Sequence, residues 1–438
     1  MKKFILLIFL LYTLPSFSDV YSQQYCIPGR FDTTYCFTES QVQTDFNINY
    51  GSNTDWQGNT VQLNYIIAYP KPEFDTLSKR PFMLLTHGGG FLAGDKLEMA
   101  GVMMDFALRG YVCASIDYRT GWDAVGGPFS CMGSGYSLAQ AVYRAMQDSK
   151  AALRYFSANA NLYKIDTANI FAGGISAGAV TSLLITYNSQ ADMNLYYPNF
   201  PAELGLLDNA SNSYTNQFKI KCVISSSGAV NDVNFIRSTN AVPTMMFHGT
   251  ADMNVPYNTG YVYSCSNYLS TLGSAKIVER LRALKRPFEL DYVPGGGHEN
   301  FYPLDFIAKR SIIFLKRYLC DDARQIVMEN FSVQSDVSLG SFTPVIPTII
   351  TLYQNYPNPF NPATTIEYSI PFDSRVSLKV YDVSGRFIAE LVNGFETAGT
   401  YQVNFNASSL SSGVFFYSLV TESNGEKIKN TKKMIFIK

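Results

Sequence analysis

Histidine is nearly absent from this chain. His87, His248 and His298 are the only three in 438 residues. They do not stand at metal-ligand spacing, so no metal site is expected, and no C-x-x-C occurs to suggest a zinc or redox centre. No cofactor motif is found either. Tryptophan is limited to Trp56 and Trp122. Charge is sparse and balanced: 34 Lys and Arg against 35 Asp and Glu give a net charge of -1. Nothing in that balance points to a nucleic-acid partner. Beyond the first residues no apolar run is long enough to span a bilayer. What the chain does have is ample core material, with 47% hydrophobic residues.

The opening MKKFILLIFLLYTLPSFS reads as a signal peptide. Lys2 and Lys3 supply the positive start, and Phe4 to Leu14 the apolar stretch, shorter than the ~20 residues of a membrane span. Cleavage is expected after Ser16-Phe17-Ser18 or after Val20-Tyr21-Ser22. Export makes disulfides possible. Cys113 and Cys222 sit in apolar strand patterns and read as buried free thiols. Cys26, Cys36, Cys131, Cys265 and Cys320 are the candidates for pairing, with Cys26–Cys36 the first expectation because it closes a short loop. Seven cysteines leave at least one without an intrachain partner.

From residue 41 strands and helices alternate. QVQTDFNINY pairs beside TVQLNYIIAY, and PFMLLTHGGG, YVCASIDY, ANIFAGG, IKCVISSSG, VPTMMFHGT and FELDYVPGG follow as near-continuous apolar strands. Helical spacing fills the gaps, including a long helix over SLAQAVYRAMQDSKAALRYFSANA and helices over 261–284 and 304–318. This order predicts an α/β fold, a mostly parallel sheet flanked by helices. An Asn- and Tyr-rich insertion at 188–218 has weak periodicity, as lids or disordered loops do. The stretch 322–348 resembles a linker. Short alternating segments after it, RVSLKVYDV, FIAELV, TYQVNFNA, VFFYSLVT and KKMIFIK, predict a small all-β sandwich.

The chemistry centres on FAGGISAGAV, where Ser176 has Gly174 two before it and Gly178 two after. G-x-S-x-G alone is a weak signal. Here a strand precedes it and a helix follows, the setting of a sharp nucleophile turn. The backbone N–H of Ala177 at the helix start can receive an anion. His87-Gly88-Gly89-Gly90 ends an earlier strand, and its glycines can bring N–H groups to the same place. A serine needs a general base. His298 in PGGGHENF follows the last strand and takes that role, while His248 is read as shaping its turn. The orienting acid is Asp252 in HGTADMNVPY, with Asp232 the rival and Glu299 disfavoured because it adjoins His298.

HGGGF, YRAMQDSKAALRYFSANANLYKIDTANIFAGGISAG, HGTADMNVPY and PGGGH together resemble the esterase/lipase (carboxylesterase) branch of the α/β-hydrolase superfamily, over about 61–318. The resemblance implies an α/β-hydrolase fold, with nucleophile, acid and base at Ser176, Asp252 and His298 and oxyanion donors at Gly88, Gly89 and Ala177. Ala179 departs from the family's usual glycine. The C-terminal 352–438, from YPNPFNPATTIEYSIP onward, is similar to the type IX secretion system sorting domain, which implies export across the outer membrane, often with removal of the domain. The expected division is a signal peptide at 1–22, an α/β-hydrolase catalytic domain at 23–322, a linker at 323–350 and a sorting sandwich at 351–438. The expected protein is a secreted or cell-surface carboxylesterase, reached through the periplasm, acting on a small-molecule or polysaccharide-linked ester such as an acetyl or feruloyl ester. A serine peptidase of the same fold and a non-catalytic binding protein are the alternatives. A carbohydrate-binding tail lacks support, since both tryptophans lie before it.

Overall fold

A computed structural model describes residues 25–27, 29–298, 302–320, 326–331, 350–355, 357–371, 373–396, 399–423 and 426–438. The expected signal peptide lies outside them, as does Glu299.

Eleven strands build the first region: β1 (Val42–Thr54), β2 (Thr60–Pro70), β3 (Arg80–Thr86), β4 (Val112–Ile116), β5 (Ile165–Ile175), β6 (Ile220–Ser226), β7 (Ala229–Val230), β8 (Thr244–Gly249), β9 (Thr259–Tyr261), β10 (Ser270–Gly273) and β11 (Phe288–Val293). The helices are α1 (Ala100–Ala107), α2 (Gly135–Ala158), α3 (Ala160–Tyr163), α4 (Ala177–Tyr187), α5 (Gln190–Tyr196), α6 (Phe200–Leu204), α7 (Ser274–Ala283) and α8 (Leu304–Leu319). The main sheet runs β1-β2-β4-β3-β5-β6-β8-β11. Its first two pairings, β1–β2 and β2–β4, are antiparallel, and the rest of that run is parallel.

Successive strand residues point to opposite faces, and both faces are covered. Phe82 and Leu84 of β3 join the core under α2 and α4, while Met83 and Leu85 join the core under α1 and α8. This explains why the strands lack polar alternation. The helix expected over 261–284 begins only at Ser274. Its first half instead forms β9 and β10, which pair with each other and, through β10, with β7. Such short strands carry too few residues to display a period of two.

Four of the five candidate cysteines are paired, but not as expected. Cys26 bonds Cys320 and Cys131 bonds Cys265, leaving Cys36, Cys113 and Cys222 free. Cys36 directs its thiol to the Leu108 carbonyl at 3.5 Å, and burial pushes the thiol up to about 11. A short loop is not the deciding quantity here. The last turn of α8 brings Cys320 to 5.2 Å from Cys26 between Cα atoms, within bridging range.

The second region comprises β12 (Ile326–Phe331), β13 (Thr351–Leu352), β14 (Ala363–Ile370), β15 (Ser374–Asp382), β16 (Phe387–Glu396), β17 (Gly399–Asn406), β18 (Gly413–Ser423) and β19 (Glu426–Phe436). β16-β15-β18-β19 form one antiparallel sheet. β17-β14-β13 form the other, and Leu378, Tyr417, Ile366 and Val403 fill the space between. The stretch expected to be a linker contains β12, which pairs parallel with β11 and antiparallel with β17 and so joins the main sheet to β17-β14-β13. Beside that seam Arg317 of α8 bridges Glu289 of β11 and Glu396 of β16, and Lys309 pairs with Asp373. No helix among the described residues is long and apolar enough to cross a membrane.

Candidate active site

Ser176 stands at the β5–α4 junction with φ 53° and ψ -118°. A non-glycine residue there costs roughly 1–3 kcal/mol. Its N–H bonds the Ser226 carbonyl at 2.8 Å, which holds the turn. The flanking glycines are required by contact: a Cβ on Gly174 would lie 2.6 Å from the Thr86 carbonyl oxygen, and one on Gly178 would overlap that same oxygen. Ala179 is fully buried, so the departure from glycine at that position is absorbed by packing.

His298 Nε2 lies 2.8 Å from Ser176 Oγ, and His298 Nδ1 lies 2.7 Å from Asp252 Oδ2. The carboxylate can only accept, so Nδ1 carries the hydrogen and Nε2 faces the serine hydroxyl as an acceptor. The other carboxylate oxygen of Asp252 accepts the N–H groups of Asn254 and Val255, both at 2.9 Å. Asp232 is elsewhere. It caps the turn at Val233–Phe235 by accepting the Asn234 N–H, and its second oxygen accepts the Tyr196 hydroxyl at 3.1 Å.

His248 does more than shape a turn. It is fully buried, with Nε2 at 3.0 Å from the Val255 carbonyl and 3.2 Å from Asp252 Oδ2. Both neighbours only accept, so Nε2 carries the hydrogen; Nδ1 lies 2.9 Å from the Ser274 hydroxyl. Burial pushes the Asp252 carboxyl up, but hydrogen bonds from His248 and His298 outweigh it and hold the group well below the usual carboxylate range. Sequence alone offered one signal for this: His248 and Asp252 are four apart across a strand-ending turn.

Of the expected donors, Ala177 follows Ser176 directly and Gly88 lies beside it, while the nearest neighbours of Gly89 are Ala93 and Gly94. A Cβ on Gly88 would sit 3.6 Å from Ser176 Cβ. The three N–H groups donate to no backbone carbonyl among the described residues. The loop that carries the glycines is held from behind. The Gly88 carbonyl accepts His87 Nδ1 at 2.9 Å and the Tyr118 hydroxyl at 3.0 Å, the Tyr118 ring stacks on His87, and Trp122 Nε1 bonds the Gly90 carbonyl at 3.0 Å. Burial pushes His87 below its ordinary value.

A cavity of about 280 Å³ opens beside Ser176. Met193, Tyr196 and Tyr197 of the insertion form part of its wall, with Val142 of α2, Val180 of α4 and Tyr263 opposite. Trp122 stands behind that wall, edge-on to the wall residue Tyr268. The Cys131–Cys265 bridge ties the loop after Trp122 to the segment bearing Tyr263 and Tyr268.

Residues 69–240 match the BD-FAE family model, and residues 354–438 match the model of the secretion system C-terminal sorting domain. The chain thus carries a region similar to the BD-FAE family, esterase-like and of the α/β-hydrolase class, and a C-terminal region similar to the secretion system sorting domain. The first match takes in Ser176 and the glycine loop; Asp252 and His298 lie beyond it. Similar solved structures include a truncated carbohydrate esterase from gut microbiota, 17% identical over 66% of this chain and 99% of that one, with a TM-score of 0.41. Others are esterase 2 from Thermogutta terrifontis with propionate bound (17% identity, 64% and 94% coverage, TM-score 0.43) and esterase B from Lactobacillus rhamnosis (16%, 70% and 93%, 0.41). No curated protein matches the sequence.

Proposed function

We propose that this protein is an exported serine carboxylesterase. The observation that carries the reading is the row Ser176–His298–Asp252, joined at 2.8 and 2.7 Å. His298 Nε2 takes the hydroxyl proton as Ser176 Oγ attacks the ester carbonyl. The N–H groups of Gly88, Gly89 and Ala177 hold the oxyanion. His298 then protonates the leaving alcohol, and water, activated by the same imidazole, releases the acid from the acyl-enzyme. Asp252 fixes the imidazole tautomer and stabilises its cationic form. Losing one oxyanion donor costs about 10²- to 10³-fold in kcat.

The cavity supports a bulky acyl group over acetyl, because its apolar and aromatic wall gives an acetyl group little to bury against. Among the esters considered from sequence, an aryl acyl group of the feruloyl kind, borne on a polysaccharide or a small alcohol, fits that wall best. A panel of p-nitrophenyl esters and aminoacyl amides tests the reaction. Esters should be cleaved and amides left; comparable amide hydrolysis would make the protein a peptidase.

His248 yields a separate expectation. His248→Leu removes a donor from Asp252, so the carboxyl rises toward its ordinary value. The stability of the ionised carboxylate is present above the unfolded value of ~3.9 and is lost as pH falls through the folded value. With the folded value raised, part of that stability is gone at every pH above it. Acid unfolding should therefore begin at higher pH in His248→Leu than in the native protein, and His248→Gln, which keeps a donor at the Nε2 position, should recover part of the difference. Identical acid transitions in all three proteins would remove His248 from this role.

The domain division rests on the same reading, with 23–322 catalytic, 351–438 sorting, and 1–22 removed on passage to the periplasm. A chain ending near Asp322 should fold and keep esterase activity, since every residue of the row precedes that point. It should melt lower, because Arg317 loses Glu396 while keeping Glu289. In a host with the type IX system the shortened chain should stay behind in the periplasm. Its appearance at the surface would end the sorting assignment.

A further inference from the structure

We infer that the Tyr263 hydroxyl is a catalytic donor, one that hydrogen-bonds the ester oxygen as it turns negative under attack by Ser176. The inference rests on the esterase reading and adds a side chain to its backbone donors. Tyr263, Gly90 and Ser176 line the same cavity. Gly90 ends the glycine run whose Gly88 lies beside Ser176, and it has φ 61°. A Cβ on Gly90 would overlap the Tyr263 hydroxyl oxygen. That oxygen therefore stands against the glycine loop itself, within the cavity that holds the serine. The missing side chain at Gly90 is what admits it.

Tyr263 is held there against its backbone preference. Its φ and ψ are 56° and 20°, and Ser264 follows with φ 59°. Successive non-glycine residues in the left-handed region are costly, and such strain persists only where the surroundings over-determine it. Here they do. The Tyr263 N–H bonds the Asn254 carbonyl at 2.8 Å, two residues from the acid, and Ser264 Oγ bonds the Met253 carbonyl at 3.2 Å. Phe129 meets the Tyr263 ring edge-on at 5.0 Å, and Cys265 is bridged to Cys131. The ring so positioned carries a hydroxyl that bonds no described residue, yet its oxygen is not sealed from solvent. Tyrosine hydroxyls in such settings usually find a partner. Phenylalanine would fill the wall equally well, so packing gives this hydroxyl no purpose, and a ligand in the cavity does. Burial pushes the phenol up to about 12, so it keeps its hydrogen at neutral pH and can donate it.

The full-length protein is compared with Tyr263→Phe, which keeps the ring and its contact with Phe129, on a p-nitrophenyl ester. A donor that acts only on the developing charge changes kcat and leaves KM alone. The variant should lose about 10²-fold in kcat, with KM within about twofold of the native value. A trifluoromethyl ketone supplies the second readout. Ser176 Oγ bonds its carbonyl carbon, the carbonyl electron pair becomes an alkoxide, and the hydroxyl proton passes to His298. The Ki of this ketone should rise in Tyr263→Phe by about the factor by which kcat/KM falls. Tyr261→Phe, in the same segment but outside the cavity wall, should match the native protein in both readouts. An unchanged kcat, a rise in KM alone, or a fall in kcat with an unchanged Ki overturns the inference and leaves the esterase reading standing. A native protein that cleaves no ester overturns both.

Discussion

Ser176→Ala should lower the rate of ester hydrolysis by about 10⁶-fold, to the level that binding and the oxyanion donors sustain alone. The protein should remain folded. Alanine carries the same Cβ into the same φ of 53°, so the strain of the turn is unchanged. The N–H bond to Ser226 is a backbone bond and survives. His298 loses the partner of Nε2, but its side chain is 11% exposed and water can replace the hydroxyl. The checks are kcat on a p-nitrophenyl ester and thermal melting. A phosphonate reagent that labels the native chain should leave Ser176→Ala unlabelled. An active Ser176→Ala enzyme would sink the whole assignment.

The second large effect is expected at the acid. Asp252→Asn should reduce kcat by about 10⁴-fold. An asparagine amide can donate to His298 Nδ1, which moves the ring hydrogen to Nε2, where it faces Ser176 and can no longer accept. Asp232→Asn should change kcat by no more than about twofold, as a surface-like substitution does. The amide introduced there keeps an oxygen to cap the turn at Val233–Phe235, and no residue of the row touches it. The reverse ranking of the two variants would move the acid to Asp232.

Much of the site was legible because its signals are local. The glycines around Ser176 answer to a carbonyl of the adjacent strand, and only a residue without Cβ fits there. The candidate serine, acid and base each follow a strand, and with only three histidines in the chain few choices were open for the base. The parallel sheet was legible for a related reason: strands covered on both faces leave unbroken apolar runs. Other features depend on distance in space. Nothing near Cys26 announces Cys320, which is 294 residues away and arrives only when α8 packs. The strands β7, β9 and β10 have two to four residues each, too few for a period to show. β12 sits in a stretch that reads as linker, and its place is set by the open edge of β11.

The Cys26–Cys320 bridge has a topological result. It closes a ring of nearly the whole first region, with both sulfurs outside the Ser176–His298–Asp252 row. By the chain-entropy relation a closed loop of 294 residues is worth about 5–6 kcal/mol against unfolding. A cut in the chain after Cys320 leaves that ring closed. The two ends of that ring are tied to each other, so a chain that frays beyond either cysteine stops fraying at the bridge. Such a molecule suits life outside the cell, where no chaperone can restore a chain that has begun to peel.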